Sequence, residues 1–290
     1  MKIIRTAHAM TAWCERLRRE GVTIGFVPTM GALHDGHRSL IRAARLRCDA
    51  LVVSIFVNPT QFSPTEDLSA YPRPIARDRA LCREEGVDVC FEPAAHNLYP
   101  EGFQTIVTVP ALASRWEGEA RPHHFAGVAT VVTKLFGIVR PHLALFGQKD
   151  YQQAALVRQL VNDLNLGVTI LVRPTVRERD GLAMSSRNVY LSADHRRIAP
   201  LLSRALRVGR QMILDGVNNV ATIERVMRQT IEQAPTVHVE YLAVCDPDNL
   251  EPLSVVAARA VLLGAVRIGS IRLIDNLQVN MSGGTRRVTR

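Results

Sequence analysis

The sequence predicts an α/β fold in which a parallel sheet carries helices on both faces, followed by a smaller C-terminal α+β domain. Three observations predict it. Through about residue 172, short β-rich runs alternate with segments of helical apolar spacing, which is the pattern of β-α-β units. Residues 51–57 are apolar almost throughout, as expected of a strand covered on both faces. After residue 174, longer helical segments precede a group of strands.

The elements of the first part follow one another in regular order. Apolar residues that recur every three or four positions mark helices, and short apolar or alternating runs mark strands. The predicted strands are residues 22–27, 51–57, 87–91, 104–109, 143–146 and 168–172. The predicted helices are residues 36–47, 75–85, 128–139 and 151–164. In such a sheet ligands bind beyond the carboxyl ends of the strands, often with phosphate at a helix N-terminus.

The second part contains fewer and longer elements. We expect helices at 192–216 and 220–232, and strands at 237–244, 260–263 and 270–274. The resulting domains are 1–174, 175–281 and a basic tail, 282–290, whose composition is typical of disorder.

Composition excludes several classes of protein. With 290 residues, 47% hydrophobic and 22% charged, the chain is neither disordered, collagen-like nor a coiled-coil rod. Its five cysteines include no C-x-x-C pair, so no zinc site or disulfide framework is expected. The N-terminus lacks the apolar stretch of a signal peptide, and no apolar run approaches the roughly 18 residues of a membrane span. We expect a cytoplasmic protein with no membrane partner.

The charge balance points to polyanionic ligands. The net charge is +9, from 36 basic and 27 acidic side chains, which suits nucleic acid or nucleotide phosphates. Aromatic residues make up only 5%, which leaves little stacking surface for nucleic acid. Only Lys2, Lys134 and Lys149 are lysines, so each internal lysine is a candidate for a site that needs a compact ammonium.

Four segments at predicted strand ends carry candidate chemistry. Residues 28–37 (PTMGALHDGH) place two histidines, His34 and His37, where a helix N-terminus can face a phosphate. Residues 54–62 (SIFVNPTQF) leave two amides, Asn58 and Gln61, after a strand that a proline ends. Residues 146–153 (FGQKDYQQ) put Lys149 at a helix start, where a cation is unfavourable unless an anion binds there. Residues 180–188 (DGLAMSSRN) offer two hydroxyls and an arginine as phosphate donors.

These segments resemble a known family. The first carries the H-x-G-H signature of the nucleotidyltransferase superfamily, and its full string resembles that of the pantothenate synthetase (pantoate–β-alanine ligase) family. VNPTQF is similar to that family's V-N-P-x-Q-F, GQKDYQQ to its G-[EQ]-K-D-x-Q-Q, and MSSR to its phosphate-gripping loop. RPHHFAGV resembles R-P-G-H-F-x-G-V, with His123 in place of the family glycine.

The resemblance implies a Rossmann-like first domain that binds nucleotide and pantoate. The implied activity is ATP-dependent condensation of pantoate with β-alanine to pantothenate, through a pantoyl-adenylate intermediate, by an AMP-forming ligase that forms an amide bond. It further implies ATP as a substrate, Mg²⁺, small-molecule partners without nucleic acid, and a homodimer.

It also implies site residues, position by position. The implied catalytic residues are His34, His37 and Lys149. The implied ATP-binding residues are Met30, Gly31, Ala32, Leu33, His34, Asp35, Gly36, His37, Gly147, Gln148, Lys149, Asp150, Val176, Met184, Ser185, Ser186 and Arg187. The implied substrate-binding residues are Asn58, Gln61, Gln153 and His124. No metal ligand is assigned, although Asp67 or Asp78, which lie with Tyr71 after the amide segment, could hold Mg²⁺ through water.

Two alternatives stay open from the residues alone. The first is another adenylyl- or cytidylyltransferase of the same superfamily with a different acceptor, which the histidine segment by itself permits. The second is a basic RNA-binding module, whose affinity for RNA would fall steeply with salt.

Overall fold

A computed structural model describes residues 1–63 and 68–281 of the chain. Asp67 and the basic tail, 282–290, lie outside the described residues. The chain divides into two compact units, each described by itself below. The first comprises Met1–Val176 with Met184–Ser186, and the second comprises Arg177–Ala183 with the residues from Arg187 onward.

The structure contains the following elements. The strands are β1 (Lys2–Ile4), β2 (Ile24–Thr29), β3 (Ala50–Ile55), β4 (Val89–Phe91), β5 (Leu143–Gly147), β6 (Thr169–Arg173), β7 (Val237–Cys245), β8 (Arg259–Ile268) and β9 (Ile271–Asn280). The helices are α1 (Ala7–Arg19), α2 (Asp35–Arg45), α3 (Ile75–Glu84), α4 (Ala95–Leu98), α5 (Pro110–Ala113), α6 (Glu117–Ala120), α7 (His124–Val139), α8 (Tyr151–Asp163), α9 (Ala193–Ile198), α10 (Leu201–Leu214) and α11 (Val220–Ile231). Short 3₁₀ turns cover Pro59–Gln61, Gln148–Asp150 and Ser186–Tyr190.

Six strands of the first unit form one sheet in the order β1-β4-β3-β2-β5-β6. Every neighbouring pair is parallel, which confirms the predicted fold class. From β2 the chain adds strands first on one side, β3 and β4, and then on the other, β5 and β6. The order therefore reverses between β2 and β5, and loops that leave the sheet at this point part to form a crevice.

Helices cover both faces of the sheet because β2 buries both of its faces. Val27 packs into an apolar cluster with Leu40 and Ile41 of α2. Phe26, its neighbour in the strand, contacts Phe136 of α7 on the opposite face, with ring centroids 6.3 Å apart. Successive side chains of a strand point to opposite faces, so α2 and α7 lie on different sides.

The second unit is an α+β layer, as predicted. Its three strands form an antiparallel sheet in the order β7-β8-β9. One cluster joins this sheet to α10 and α11, with Leu206, Met227 and Leu262 all fully buried in it. Among the described residues, no helix is long and apolar enough to cross a bilayer.

Several sequence predictions of elements are wrong. Residues 104–109, predicted as a strand, have no regular secondary structure and pair with none of the described strands. The helix predicted at 192–216 is two helices, α9 and α10, which are separate because Pro200 precedes α10 and has no N–H to continue a helix. The first strand and helix, β1 and α1, are not among the elements predicted from the sequence.

Candidate active site

The candidate residues follow four strands that are neighbours in the sheet. In the order β3, β2, β5 and β6, each strand ends at the same edge and leads into one candidate segment. The histidine segment, residues 28–37, follows β2, and the lysine segment, residues 146–153, follows β5, so these two flank the crevice at the reversal point. The amide segment, residues 54–62, follows β3 on one side, and Val176 follows β6 on the other. The topology therefore brings together segments that are more than a hundred positions apart in sequence.

The two histidines are both held through their Nδ1 atoms. His34 is the N-cap of α2, and its Nδ1 accepts a hydrogen bond from the N–H of Gly36, 3.1 Å away. The Nδ1 of His37 accepts from the N–H of His34 at 3.3 Å, and the ring centroids are 4.2 Å apart. Because an accepting Nδ1 carries no proton, the proton of each neutral ring lies on Nε2. Each ring therefore keeps one N–H donor for a ligand.

Both imidazoles stay neutral near pH 7. Burial lowers the pKa of His34 from 6.5 to about 4, and the charge of Lys149 lowers it further. Burial also lowers the pKa of His37, to about 3, with smaller contributions from His34 and Lys149. The lysine is thus close enough to act electrostatically on both rings, so the geometry groups Lys149 with the histidine pair.

Gly36 lets the His34 ring fold back over the helix start. A Cβ at this position would lie 2.7 Å from Cε1 of His34 and 2.8 Å from its Nδ1. Any other residue would push the ring away from the N–H that fixes it. The glycine of the H-x-G-H pattern is therefore a requirement of the imidazole's position.

A buried carboxylate supports the turn that precedes these histidines. Gly31 and Ala32 both have positive φ, at 82° and 50°, a region that costs a non-glycine residue about 1–2 kcal/mol. Asp78, only 1% exposed, accepts the N–H of Ala32 at 2.9 Å and that of Leu33 at 2.8 Å, one on each oxygen. The sequence suggests Asp78 only as a metal ligand, and this supporting role is not visible there because the partners of Asp78 lie 45 and 46 positions away.

The amide segment forms a closed polar cluster. Gln61 is 7% exposed, and its Oε1 accepts a hydrogen bond from Nδ2 of Asn58 at 2.9 Å. Among the described residues, Nε2 of Gln61 has no hydrogen-bond partner. Gly127 of α7 lets the helix approach this turn, because a Cβ there would lie 2.3 Å from the carbonyl oxygen of Thr60.

His124 supports the same turn from α7. Its Nδ1 donates to the carbonyl oxygen of Gln61 at 3.0 Å, and Nη1 of Arg121 donates to its Nε2 at 3.2 Å. Both ring nitrogens therefore have protein partners. His123, which replaces the family glycine, is exposed and has a φ of 74°. The substitution leaves the glycine-like backbone conformation in place.

The lysine segment presents Lys149 and Gln153. Strand β5 ends at Gly147, and a 3₁₀ turn begins at Gln148 and contains Lys149. The Nζ of Lys149 lies 3.7 Å from Oδ1 of Asp150. Gln153 is half-buried, and its amide makes no hydrogen bond to the described residues. The adjacent Gln152 has a structural role, because its buried Nε2 donates hydrogen bonds to the carbonyl oxygens of Leu112 and Arg115.

The hydroxyl segment, residues 180–188, is held by a backbone hydrogen bond just before its two serines. The N–H of Met184 donates to the carbonyl oxygen of Val176 at 3.0 Å, which places Ser185 and Ser186 beyond the end of β6. The Oγ of Ser186 lies 3.5 Å from the hydroxyl of Tyr71. The next residue, Arg187, belongs to the second unit.

The described part of the chain offers no cage for a resident metal. Across residues 1–63 and 68–281, no group of three or more histidine, cysteine, aspartate or glutamate side chains could hold an ion. Both oxygens of Asp78 already accept backbone N–H groups.

Comparisons with known proteins give one consistent family match over nearly the whole chain. A family model described as pantoate-beta-alanine ligase matches residues 2–278. Proteins named pantothenate synthetase from Heliobacterium modesticaldum and Desulfatibacillum aliphaticivorans are 50% and 51% identical, over 97% and 95% of this chain and 100% and 98% of their own. The crystal structure of pantothenate synthetase from Thermus thermophilus has a TM-score of 0.91 at 48% identity, over 96% of this chain and 99% of that one.

One similar solved structure is a complex with ligands. The crystal structure of pantoate-beta-alanine ligase from Francisella tularensis is described as complexed with beta-gamma ATP and beta-alanine. It has a TM-score of 0.79 at 36% identity, over 96% of this chain and 97% of that chain.

Proposed function

The chain belongs to the pantoate–β-alanine ligase family, and from that premise we propose that it condenses pantoate with β-alanine to pantothenate, with ATP cleaved to AMP and pyrophosphate. The observation that carries the proposal is the crevice between β2 and β5, where two neutral imidazoles and Lys149 face the end of the sheet. Relatives at half identity share the name pantothenate synthetase, which favours this function over another nucleotidyltransferase or an RNA-binding module.

The first half-reaction activates pantoate. A carboxylate is a poor electrophile because oxide would have to leave. A carboxylate oxygen of pantoate attacks the α-phosphorus of ATP, the bond from that phosphorus to the bridging oxygen breaks, and pyrophosphate departs. The product is pantoyl adenylate, a mixed anhydride. Negative charge grows on the phosphate oxygens in the transition state, where preorganised donors accelerate the reaction.

This chain supplies such donors from three segments. The Nε2–H groups of His34 and His37 and the ammonium of Lys149 would bind the α- and β-phosphates. Ser185, Ser186 and Arg187 would bind the triphosphate. Because the imidazoles are neutral donors, they can bind phosphate without releasing or taking up a proton at physiological pH. Removal of one such donor typically costs about 10²–10³ in rate.

The second half-reaction forms the amide. The amine of β-alanine attacks the acyl carbon of the adenylate, the carbon–oxygen bond to AMP breaks, and the amine loses a proton. Proximity accounts for most of the acceleration of such a step. Gln61 would hold pantoate through its NH₂ group and Gln153 through its amide, with Asn58 and His124 in the wall of the same site.

The remaining features of the proposal concern ions, assembly and location. Mg²⁺ would enter as the ATP complex, with phosphate oxygens and water as ligands. Residues 1–174 would form the nucleotide- and pantoate-binding domain and 175–281 the smaller one. A cytoplasmic location is supported by the use of ATP and by five free cysteines.

A homodimer is supported by an exposed segment that pairs with none of the described strands. Residues 104–106 and 108 are exposed, and Ile106 is 71% exposed in the single chain, although the N–H of Val107 donates to Oγ1 of Thr130 at 3.0 Å. Such a segment can pair with a second strand, and a symmetric dimer can bring two copies of it together. Sedimentation should give about twice the 32.1 kDa chain mass, whereas the monomer mass would contradict a dimer.

Product analysis tests the proposed function. The protein is incubated with Mg²⁺–ATP, pantoate and β-alanine, and products are identified by mass spectrometry. We expect AMP and pantothenate in equal amounts, and neither product when pantoate is omitted. Turnover of ATP with another acceptor but not with pantoate would instead favour the nucleotidyltransferase alternative.

A further inference from the structure

The amide of Asn58 is fully occupied by protein groups. It is 1% exposed, and its Nδ2 donates to Oε1 of Gln61 at 2.9 Å and to the carbonyl oxygen of Gly127 at 3.1 Å. Its Oδ1 accepts from the hydroxyl of Tyr99 at 2.9 Å and from Oγ1 of Thr60 at 3.0 Å. A primary amide has two N–H donors and two acceptor lone pairs, so nothing is left over for a ligand.

This network sets the orientation of Gln61. The carbonyl oxygen of Gly127 can only accept, so the NH₂ of Asn58 must face it, and the second N–H then points at Gln61. Gln61 must therefore turn Oε1 towards Asn58, which leaves its NH₂ on the other side. An NH₂ group suits the carboxylate and hydroxyl oxygens of a substrate such as pantoate.

Tyr99 closes the network from outside the candidate segments. It follows α4 and reaches Asn58 across 41 positions of sequence. Its ring meets Phe103 edge-on at 5.1 Å, and Nζ of Lys134 lies 4.4 Å from the Phe103 ring and 5.8 Å from the Tyr99 ring. These contacts hold the ring in place. Burial raises the pKa of the Tyr99 phenol, so its hydroxyl stays a donor.

We propose that Tyr99 is a positioning residue for pantoate: by donating to Oδ1 of Asn58, its hydroxyl fixes the amide pair that presents the NH₂ of Gln61 to the substrate. The inference rests on the proposed function. Tyr99 itself touches no candidate ATP-binding residue in the described network. Its loss should therefore weaken pantoate binding and spare ATP.

The test compares Michaelis constants in Tyr99→Phe, which keeps the ring and removes only the hydroxyl. We expect the KM for pantoate to rise about tenfold, from the loss of one hydrogen bond to a buried polar group, and the KM for ATP to change less than about twofold. Tyr241→Phe, which removes a phenol hydroxyl from β7 in the second unit, is the matched control and should change neither constant. Equal rises in both constants for Tyr99→Phe would overturn the inference.

A double variant separates positioning from a general structural role. If Tyr99 acts through Gln61, then Tyr99→Phe should add less than about a twofold effect on the KM for pantoate when Gln61→Ala is already present. Full additivity would contradict the inference. Should Tyr99→Phe fail to fold, Thr60→Val removes the other donor to the same oxygen, and an unchanged KM for pantoate would then overturn it.

The outcome is separable from that of the proposed function. Pantoate binding to the unaltered protein is measured first, by calorimetry in the presence of Mg²⁺–ATP without β-alanine. Absence of pantoate binding would refute the proposed function itself. Binding and turnover by the unaltered protein with no change in Tyr99→Phe would refute only the role of Tyr99.

Discussion

Asp78→Asn is the substitution that most sharply tests how the turn of the histidine segment, residues 28–37, is supported. Asp78 uses both carboxylate oxygens to accept the N–H groups of Ala32 and Leu33, at 2.9 and 2.8 Å. Asparagine has the same shape but only one accepting oxygen. One buried N–H would therefore face the NH₂ of the new amide, and Ala32 would lose support for its positive φ of 50°.

The expected magnitude follows from opposing effects. Burial raises the pKa of Asp78, and the two backbone hydrogen bonds lower it, so the desolvated charge offsets part of what the bonds contribute. The neutral amide removes that desolvation cost, but a buried N–H without an acceptor costs about 1–3 kcal/mol. We expect the free energy of unfolding to fall by about 2 kcal/mol. Relaxation of the turn should raise the KM for ATP about tenfold, which corresponds to about 1.4 kcal/mol.

The assay pairs urea unfolding with steady-state kinetics, and Glu92→Gln is the matched control. Glu92 is another carboxylate of the first unit, and it forms a two-bond ion pair with Arg79, at 2.8 and 2.7 Å. Its replacement should lower stability without touching residues 30–37. The Mg²⁺ concentration for half-maximal rate should be the same in both variants and the unaltered protein.

Two results would refute this reasoning. An unchanged KM for ATP in Asp78→Asn would show that ATP binding does not depend on the support that this carboxylate gives to the histidine segment. A large shift in the Mg²⁺ requirement, with stability unchanged, would show that Asp78 serves the metal ion rather than the turn.

Two further predictions concern histidines. His34 and His37 stay neutral in the folded protein, whereas in the unfolded chain each takes up a proton near pH 6.5. Below pH 6.5 the unfolded chain therefore binds more protons than the folded one, so the free energy of unfolding should fall as pH falls. The expected loss is about 2 kcal/mol for each ring between pH 7 and 5. Urea unfolding at both pH values measures this, and an equal loss in a His34→Gln, His37→Gln double variant would contradict it. His123→Gly should raise the free energy of unfolding by about 1 kcal/mol, because glycine adopts a φ of 74° without the cost borne by other residues. An unchanged or lower stability would show that His123 makes compensating contacts.

The parallel sheet could be predicted because its central strands show a strand pattern within their own residues. The run at 51–57 is apolar on both faces and became β3, and the helical spacing at 36–47 became α2. The strand predicted at 104–109 is wrong for a non-local reason: the segment does contain alternating β-branched residues, but none of the described strands lies beside it. Strand formation depends on a partner, and sequence pattern shows only one side of the pair.

The residues of the candidate site likewise fall into two groups, those that a local motif reveals and those that only the fold reveals. His34, His37, Gln61 and Lys149 lie in short strings whose spacing already indicates their chemistry. Asp78 and Tyr99 act on those strings from 41 to 46 positions away, and each lies in a segment with no motif of its own. A lone buried acid or phenol is a weak signal in sequence, so only the folded chain shows what it holds.

Activation of pantoate as an acyl adenylate is the central step of the proposed function. The most direct measurement is the exchange of labelled pyrophosphate into ATP, with Mg²⁺ and pantoate present and β-alanine absent. We expect exchange that depends on pantoate, because the first half-reaction is reversible while the adenylate stays bound. No exchange, with binding of both ATP and pantoate shown by calorimetry, would contradict it and would indicate a concerted route or a different acceptor.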